Sequence, residues 1–234
     1  MPLKEIAERQ NLLHAKSTPQ MILAHALEDP RIGETAIVSS FGAESVVLLH
    51  MASEIARDVP VIFLDTEMLF AETLAYQVEV AETLGLTDVR VITPDRAAVL
   101  ARDNEGLLHQ ADVDACCTLR KTEPLERALQ GFGSWITGRK RYQNGVRAAL
   151  PLFEKDPDSA RIKVNPLAGW GRDQIADYIS AHDLPRHPLV AKGYPSIGCW
   201  PCTHPVGVGE DDRSGRWKDS EKTECGIHFA TAAE

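Results

Sequence analysis

The sequence predicts an α/β protein with a doubly wound, mostly parallel sheet and a mobile C-terminal tail. Short, uninterrupted apolar segments alternate with segments of helical character up to about Leu184, and beyond it Pro, Gly and charged residues dominate. Uninterrupted apolar strands are typical of a sheet that helices cover on both faces, and parallel strands need right-handed crossovers. We therefore expect an α/β domain over residues 1–206 and a tail over residues 207–234.

The predicted elements follow one another along the chain. Residues 1–29 predict one or two helices, because Thr18-Pro19 is a typical helix start. Further helical segments are expected at 43–56 and 70–84. Short apolar runs predict five strands, at residues 36–39, 60–64, 89–93, 134–137 and 161–164.

Composition excludes several classes of protein. The chain has 234 residues, 44% of them hydrophobic, which suits one globular domain. A net charge of -9 argues against a protein that coats nucleic acid. The N-terminus lacks the apolar run of a signal peptide, and no stretch approaches the ~20 apolar residues of a membrane helix. We expect a cytoplasmic protein without nucleic-acid or membrane partners, whose five cysteines are better suited to metal binding or chemistry than to disulfides.

The first strand is followed by SSFGAES, residues 39–45, which opens a helix. Hydroxyls, a glycine that allows close backbone approach and the unpaired amides of a helix start favour an anion such as phosphate. A tight turn with serine caps is an equally good interpretation. The second strand ends in Leu64-Asp65-Thr66, where the crevice at the carboxyl ends of the strands is expected, although this Asp-Thr also suits a helix cap.

Four cysteines occur as two pairs, the adjacent Cys116 and Cys117 and the C-x-x-C of Cys199 and Cys202. Four thiolates from two segments can hold a zinc ion or an iron–sulfur cluster. Adjacent Cα atoms lie only about 3.8 Å apart, so converging both side chains on one zinc would strain the backbone. A cubane cluster offers separate irons and is favoured, with zinc and redox-only cysteines left as alternatives. Lys121 shares a helical face with Cys117 if this segment is helical, or is a solvated surface charge.

The fifth cysteine, Cys225, lies in the polar string Glu224-Cys225-Gly226-Ile227-His228. An exposed, mobile cysteine suits a nucleophile, and His228 is a candidate proton donor or thiolate partner. An incidental surface thiol near the end of the chain is the alternative.

Together these segments resemble the assimilatory adenylyl-sulfate and phosphoadenylyl-sulfate reductases, within the adenine-nucleotide α-hydrolase-like group. The matching strings run from about residue 36 to 228, most of the chain. They are SSFGAES, LDT with LF and ET in 64–73, CCTLRK, WITGRKR, GCWPCTHPV, GEDDRSGRW and ECGIH. The combination of ECGIH with a paired Cys-Cys and a late C-x-x-C is highly specific.

The resemblance implies a reaction of sulfate assimilation and cysteine biosynthesis. The thiolate of Cys225 attacks the sulfur of adenosine 5′-phosphosulfate, AMP leaves, and an S-sulfocysteine remains on the enzyme. Thioredoxin or a similar dithiol then releases sulfite. Because the thiolate and the substrate are both anionic, positive groups must surround the site.

The resemblance also implies roles for individual residues. It implies a [4Fe-4S] cluster on Cys116, Cys117, Cys199 and Cys202, with Lys121 and His228 assisting the nucleophile Cys225. The substrate-binding residues that it implies are Ser39, Ser40, Phe41, Gly42, Ala43, Glu44, Ser45, Leu64, Asp65, Thr66, Gly138, Arg141, Arg213 and Arg216.

Two departures from the family pattern matter. Glu67 stands where the family usually has the glycine of LDTG. At 138–142, GRKRY replaces the usual Gly-Leu-Arg-Arg-Glu turn, which leaves open which of Arg139, Lys140 and Arg141 contacts ligand.

The alternative functions are a reductase of the 3′-phosphorylated substrate, an ATP pyrophosphatase-type enzyme of the same fold and a zinc-stabilised binding module. We also expect residues from about 207 onward to act as a lid that carries Cys225 between the pocket and the dithiol partner. The oligomeric state stays open, a homo-oligomer included.

Overall fold

The computed structural model describes residues 1–143, 145–157, 159–218, 222 and 224–228. Its strands are β1 (Thr35–Ser39), β2 (Val61–Leu64), β3 (Val89–Ile92), β4 (Ser134–Ile136), β5 (Phe153–Lys155) and β6 (Ile162–Val164). Its α-helices are α1 (Leu3–Leu13), α2 (Pro19–Glu28), α3 (Ser45–Ser53), α4 (Ala71–Leu84), α5 (Arg96–Arg102), α6 (Leu108–Ala111), α7 (Val113–Cys117), α8 (Glu123–Ala128) and α9 (Arg172–Ala181). Between α7 and α8 the chain forms a π-helical turn, Thr118–Thr122. None of the helices in these ranges is long and apolar enough to cross a membrane.

The six strands form one sheet in the order β3-β2-β1-β4-β6-β5. The central strand β1 pairs in parallel with β2 on one side and β4 on the other, so that Ile37 lies between Val61 and Ile136. The chain thus winds outward from β1 in both directions, and the doubly wound prediction is confirmed. The strand order reverses between β1 and β4, and in such sheets ligands bind beyond the carboxyl ends of the strands at this point.

The two faces of the sheet carry separate apolar cores. Alternate residues of a strand point to opposite faces. Ile37 of β1 therefore joins a large core with α2, α3, α4 and α9, whereas its neighbour Ala36 joins a smaller core with Trp135 of β4 and Leu125 of α8. Helices on both faces explain why the central segments Ala36–Val38 of β1 and Val61–Leu64 of β2 are uninterrupted apolar runs.

Helix α2 begins as the sequence predicts. The hydroxyl of Thr18 accepts a hydrogen bond from the amide of Met21 at 3.3 Å, and Pro19 occupies the first helical position. Helix α9 was not among the predicted elements, because only Ile175 and Ile179 are buried on it and the rest of its surface is polar.

Strand β5 is antiparallel to β6 and forms one edge of the sheet. The prediction of five strands misses it, because Phe153 is followed by Glu154 and Lys155 instead of an apolar run. Helix α1 covers this edge with one side chain: the amide of Asn11 accepts from the backbone N–H of Phe153 at 3.0 Å and donates to its carbonyl at 2.7 Å.

The described part of the predicted tail packs against the domain. Residue Arg216 forms an antiparallel bridge with Thr203, and the amide of His204 donates to the carbonyl of Gly215 at 2.8 Å. A Cβ on Gly215 would lie 2.2 Å from the carbonyl oxygen of His204, so glycine serves close packing here. Residues 219–221, 223 and 229–234 of the predicted tail lie outside the described residues, and the boundary at 206 and the movement of the tail stay predictions.

Candidate active site

A cavity opens at the point where the strand order reverses. The carboxyl ends of β1, β2 and β4 form its floor, and residues 195–199, 213–217 and 224–228 close it from above. Of the predicted site residues, it is lined by Ser39, Ser40, Gly42, Ala43, Glu44, Ser45, Leu64, Thr66, Lys121, Gly138, Cys199, Arg213, Arg216, Cys225 and His228. One cavity therefore collects segments that are far apart in the sequence.

The loop after β1 is held in shape by its own serines. The hydroxyl of Ser39 accepts from the amide of Phe41 at 3.2 Å, and the hydroxyl of Ser45 accepts from the amide of Gly42 at 3.0 Å. The ring of Phe41 is fully buried edge-on against Phe63, outside the cavity lining, so Phe41 contributes only backbone to the loop.

Glu44 of this loop is bound to the turn after β4. Its carboxylate accepts from the ammonium of Lys140 at 2.7 Å, from the amide of Gln143 at 3.2 Å and from the hydroxyl of Tyr142. Burial is the largest single influence and raises the pKa of Glu44, but the charge of Lys140 and the hydrogen bonds from Lys140, Tyr142 and Gln143 together leave this pKa below its ordinary value. The positive charge of Lys140 is thereby neutralised within the protein.

The three basic residues of the turn after β4 differ in their position relative to the cavity. Arg139 and Lys140 line the cavity, whereas Arg141 does not. The guanidinium of Arg141 donates to the carbonyl of Leu150 at 2.8 Å instead. Arg139 forms an ion pair with Glu154, so both lining cations of this turn have carboxylate partners.

At the end of β2, Asp65 does not line the cavity and caps no helix, because the next helix, α4, begins only at Ala71. Its carboxylate accepts from the amide of Glu67 at 2.9 Å. Glu67 has a φ of 58°, in the left-handed region that favours the glycine usual in the family. Its carboxylate lies 3.3 Å from the guanidinium of Arg120, a contact that glycine could not make.

Both cysteine pairs lie around the loop that follows β2. The hydroxyl of Thr66 is 3.2 Å from Sγ of Cys199. Cys116 packs in one apolar cluster with Cys199 and Met68. Arg120, one turn beyond Cys117, donates to the carbonyl of Thr66 at 3.0 Å and forms a buried ion pair with Asp103. Hydrogen bonds to one loop thus place the two pairs side by side.

The thiols are largely buried beside one lysine. Burial raises the pKa of Cys116 to about 12 and that of Cys117 to about 11. Burial is the largest single influence on Cys199 and raises its pKa, but Lys121, the hydroxyl of Thr66 and Arg216 together outweigh burial and lower the pKa. Within the described ranges, no three His, Cys, Asp or Glu side chains converge as a group that could hold a metal ion.

The π-helical turn at Thr118–Thr122 places Lys121. Cys117 ends α7, and the chain continues with the wider turn instead of the regular helix that would put both residues on one face. The side chain of Lys121 lines the cavity together with Cys199 and Cys225. Lys121 therefore stands between the cysteine pairs and the predicted nucleophile.

Arg213 and Arg216 are fixed to the C-x-x-C motif through Trp217. The amide of Trp217 donates to the carbonyl of Cys202 at 3.1 Å, and the guanidinium groups lie 5.6 Å and 4.4 Å from the centre of its indole ring. A Cβ on Gly198 would lie 2.3 Å from the guanidinium of Arg216, so a side chain there would displace it. Burial lowers the pKa of Arg213 to about 10, which leaves it charged at neutral pH.

Cys225 is half-buried at the edge of the cavity, between two anchors. On one side Glu224 is buried and forms ion pairs with Arg147 and Arg213. On the other side the imidazole of His228 stacks on Trp135, with ring centres 6.0 Å apart and planes within 7°. Gln143, Arg147 and Glu224 line the cavity without having been among the predicted site residues, and of these only Glu224 belongs to a string that the sequence analysis singles out, ECGIH.

The arrangement combines a phosphate-type loop, a half-buried thiol and six lysine and arginine side chains, Lys121, Arg213 and Arg216 among them, in one cavity. Such a site can bind an anionic ligand along the loop and present its far end to Cys225. The cavity contains the chemistry for nucleophilic attack on a group that carries negative charge.

Comparison with known proteins gives consistent results. The Phosphoadenosine phosphosulfate reductase domain matches residues 34–205. An adenosine 5′-phosphosulfate reductase of Mesorhizobium japonicum is 52% identical over 218 residues, which cover 93% of this chain and 85% of that protein. A phosphoadenosine 5′-phosphosulfate reductase of Gloeobacter violaceus is 39% identical, covering 90% of this chain and 88% of that protein.

A solved structure agrees with them. The crystal structure of phosphoadenylyl-sulfate reductase from Candida auris, a phosphate complex, superposes with a TM-score of 0.73 at 28% identity, covering 86% of this chain and 97% of that one. The match to the family domain, residues 34–205, spans the six strands, the loop after β1 and both cysteine pairs. The chain belongs to the phosphoadenosine phosphosulfate reductase family.

Proposed function

We propose that this oxidoreductase reduces adenosine 5′-phosphosulfate to sulfite and AMP in sulfate assimilation. The observation that carries the proposal is the position of Cys225 at a cavity that also contains Lys121, Arg213 and Arg216. The thiolate attacks the substrate sulfur, the bond from sulfur to the phosphate oxygen breaks, and AMP leaves. A dithiol such as thioredoxin then attacks the sulfur of Cys225, releases sulfite, and supplies two electrons as it becomes a disulfide.

The remaining residues bind the two ends of the substrate. The loop at 39–45 and Gly138 hold the nucleotide, and the three cations hold the phosphate and sulfate, where their charge opposes the repulsion between thiolate and sulfate. The Nε of Arg216 and the Nδ1 of His228 are buried and have no hydrogen-bond partner among the described residues. Unpartnered buried polar atoms are costly, and a bound anion would satisfy the N–H of Arg216, and also Nδ1 of His228 when this nitrogen carries the proton.

Substrate choice is the second part of the proposal. The relatives include proteins named for either substrate. Lys140 and Arg139 are paired with Glu44 and Glu154, so neither cation is left for the additional phosphate of a 3′-phosphorylated nucleotide. Protein purified without oxygen, given thioredoxin and either substrate, is expected to release sulfite faster from the unphosphorylated one. Faster release from the 3′-phosphorylated substrate would reverse this choice, and release from neither would refute the function.

We further propose that Cys116, Cys117, Cys199 and Cys202 bind one [4Fe-4S] cluster. An all-thiol donor set from two segments is typical of such clusters, and adjacent cysteines can bind separate irons. Both pairs lie around the loop after β2, where the hydroxyl of Thr66 contacts Cys199. When bound, the cluster would add its charge beside Lys121, at the edge of the substrate cavity.

Cysteine replacement tests the cluster. Cys199→Ser is expected to lower the iron and acid-labile sulfide content of protein purified without oxygen, because one of four ligands is lost. Cys225→Ser serves as the control and should leave both unchanged. Metal analysis and visible absorbance give the result. A colourless wild-type protein with one zinc and no sulfide would contradict the cluster and support the zinc alternative.

The tail has to serve two partners in this reaction. In the structure Cys225 is half-buried against the cavity, which suits the first step but not contact with a protein dithiol. We propose that the segment from about residue 207 opens after the first step and presents the S-sulfocysteine to thioredoxin in the reducing cytoplasm. Release of AMP removes the anion that Arg213 and Arg216 hold, and this weakens the closed position.

A further inference from the structure

A continuous set of hydrogen bonds joins the nucleotide loop to the nucleophile. Glu44 of the loop accepts a hydrogen bond from the side-chain amide nitrogen of Gln143 at 3.2 Å. The side-chain oxygen Oε1 of Gln143 in turn accepts from the guanidinium of Arg147. Arg147 also donates to the carboxylate of Glu224, whose other oxygen accepts the backbone N–H of Cys225 at 3.0 Å. Four side chains thus connect the two halves of the cavity.

The central members of this set are buried. The side chain of Arg147 is 9% exposed and that of Glu224 is 3% exposed. A guanidinium forms planar, directional hydrogen bonds on two of its edges at once, so it fixes both distance and orientation between its partners. Lysine carries the same charge but cannot bridge Gln143 and Glu224 in this way.

We propose that Arg147 is a positioning residue that sets the place of Cys225 relative to the bound nucleotide. This inference rests on the proposed function. Arg147 has no role in the sequence-based expectations, and it is linked to the reacting residue through the carboxylate of Glu224. Attack on sulfur requires the thiolate in line with the leaving oxygen, and an error of about 1 Å in such placement can cost about 10²-fold in rate.

The test compares two reactions of the same thiol in Arg147→Lys. Formation of S-sulfocysteine from adenosine 5′-phosphosulfate, followed by intact mass in a single turnover without reductant, should slow by about 10²-fold. Alkylation of Cys225 by iodoacetamide, followed by peptide mass spectrometry, should become faster, since the thiol is less firmly held and more often accessible. A merely structural role would not move the two rates in opposite directions.

Two further variants sharpen the test. Glu224→Gln keeps the size of the side chain, removes the charge that Arg147 holds, and should change both rates in the same directions if Arg147→Lys fails to fold. Arg161→Lys is the matched control, because Arg161 pairs with Glu126 outside the cavity. It should leave both rates within about twofold of the wild type, as expected for a pair near the surface.

The outcomes separate this inference from the proposed function. Wild-type protein that forms no sulfonate adduct would refute the function itself. Wild-type protein that forms the adduct while a folded Arg147→Lys forms it equally fast would refute the positioning role alone. Parallel loss of both rates would also refute it, since this indicates damage to the thiol or the fold.

Discussion

Replacing Cys225 with serine should abolish sulfonate transfer. The hydroxyl of serine is a far weaker nucleophile than a thiolate, and loss of a covalent nucleophile costs at least about 10⁴-fold in rate. Wild-type protein incubated with adenosine 5′-phosphosulfate without reductant should gain the mass of one SO₃ group, and Cys225→Ser should gain none. Sulfite release with thioredoxin should fall below detection in the same variant.

The adduct experiment has internal controls. Cys225→Ser should still bind AMP, because the loop at 39–45 and the turn after β4 are unchanged. It should also retain its iron. An adduct that forms in Cys225→Ser, or that maps to another cysteine in the wild type, would show that the nucleophile has been assigned to the wrong residue.

Removing the guanidinium of Arg216 should have the second largest effect. Arg216→Ala is expected to lower kcat/KM by about 10²–10³-fold, the usual cost of losing one group that stabilises a developing anion. Arg216 is held by Trp217 and Gly198, and its Nε is buried with no hydrogen-bond partner in the part of the chain that the structure describes. Steady-state kinetics with the unphosphorylated substrate measure the change.

A neighbouring lysine provides the control for Arg216. Lys218→Ala removes a positive charge two residues away, from an exposed position outside the cavity. Its kcat/KM should stay within about twofold of the wild type, because an exposed charge is screened by solvent. Equal losses in the two variants would indicate a general effect of charge on the segment, and an unchanged Arg216→Ala would remove Arg216 from the site.

Much of the fold could be predicted because the information is local. The buried strands are apolar runs, and the start of α2 is a Thr-Pro pair whose capping bond is present. Strand β5 could not be found in this way, because it has three residues, two of them charged, and is held by pairing with β6. The same holds for α9, whose apolar face consists of two isoleucines.

The residues of the candidate site also divide into those that local sequence patterns identify and those that depend on contacts between distant segments. The strings of the family point to most of the residues that line the cavity, Cys199 and Cys225 included, whereas Cys116, Cys117 and Cys202 lie outside its lining. The ion pair of Arg147 with Glu224 joins residues 77 positions apart, and that of Lys140 with Glu44 has no local pattern either. Such pairs depend on which strands are neighbours, so they become visible only once the order of the sheet is known. The orientation of Arg141 toward Leu150 is another example.

The amide of Asn11 on β5 has a consequence for the behaviour of the chain at high concentration. An edge strand offers free N–H and C=O groups on which a second chain can add a strand, and this is a common route to aggregation. A primary amide can present an N–H and a C=O side by side, as the edge of a strand does, and Asn11 directs one of each to Phe153. Asn11 thus occupies the hydrogen-bonding groups of Phe153 as one residue of a neighbouring strand would. This blocks the addition of a strand from a second chain at this position of the sheet edge.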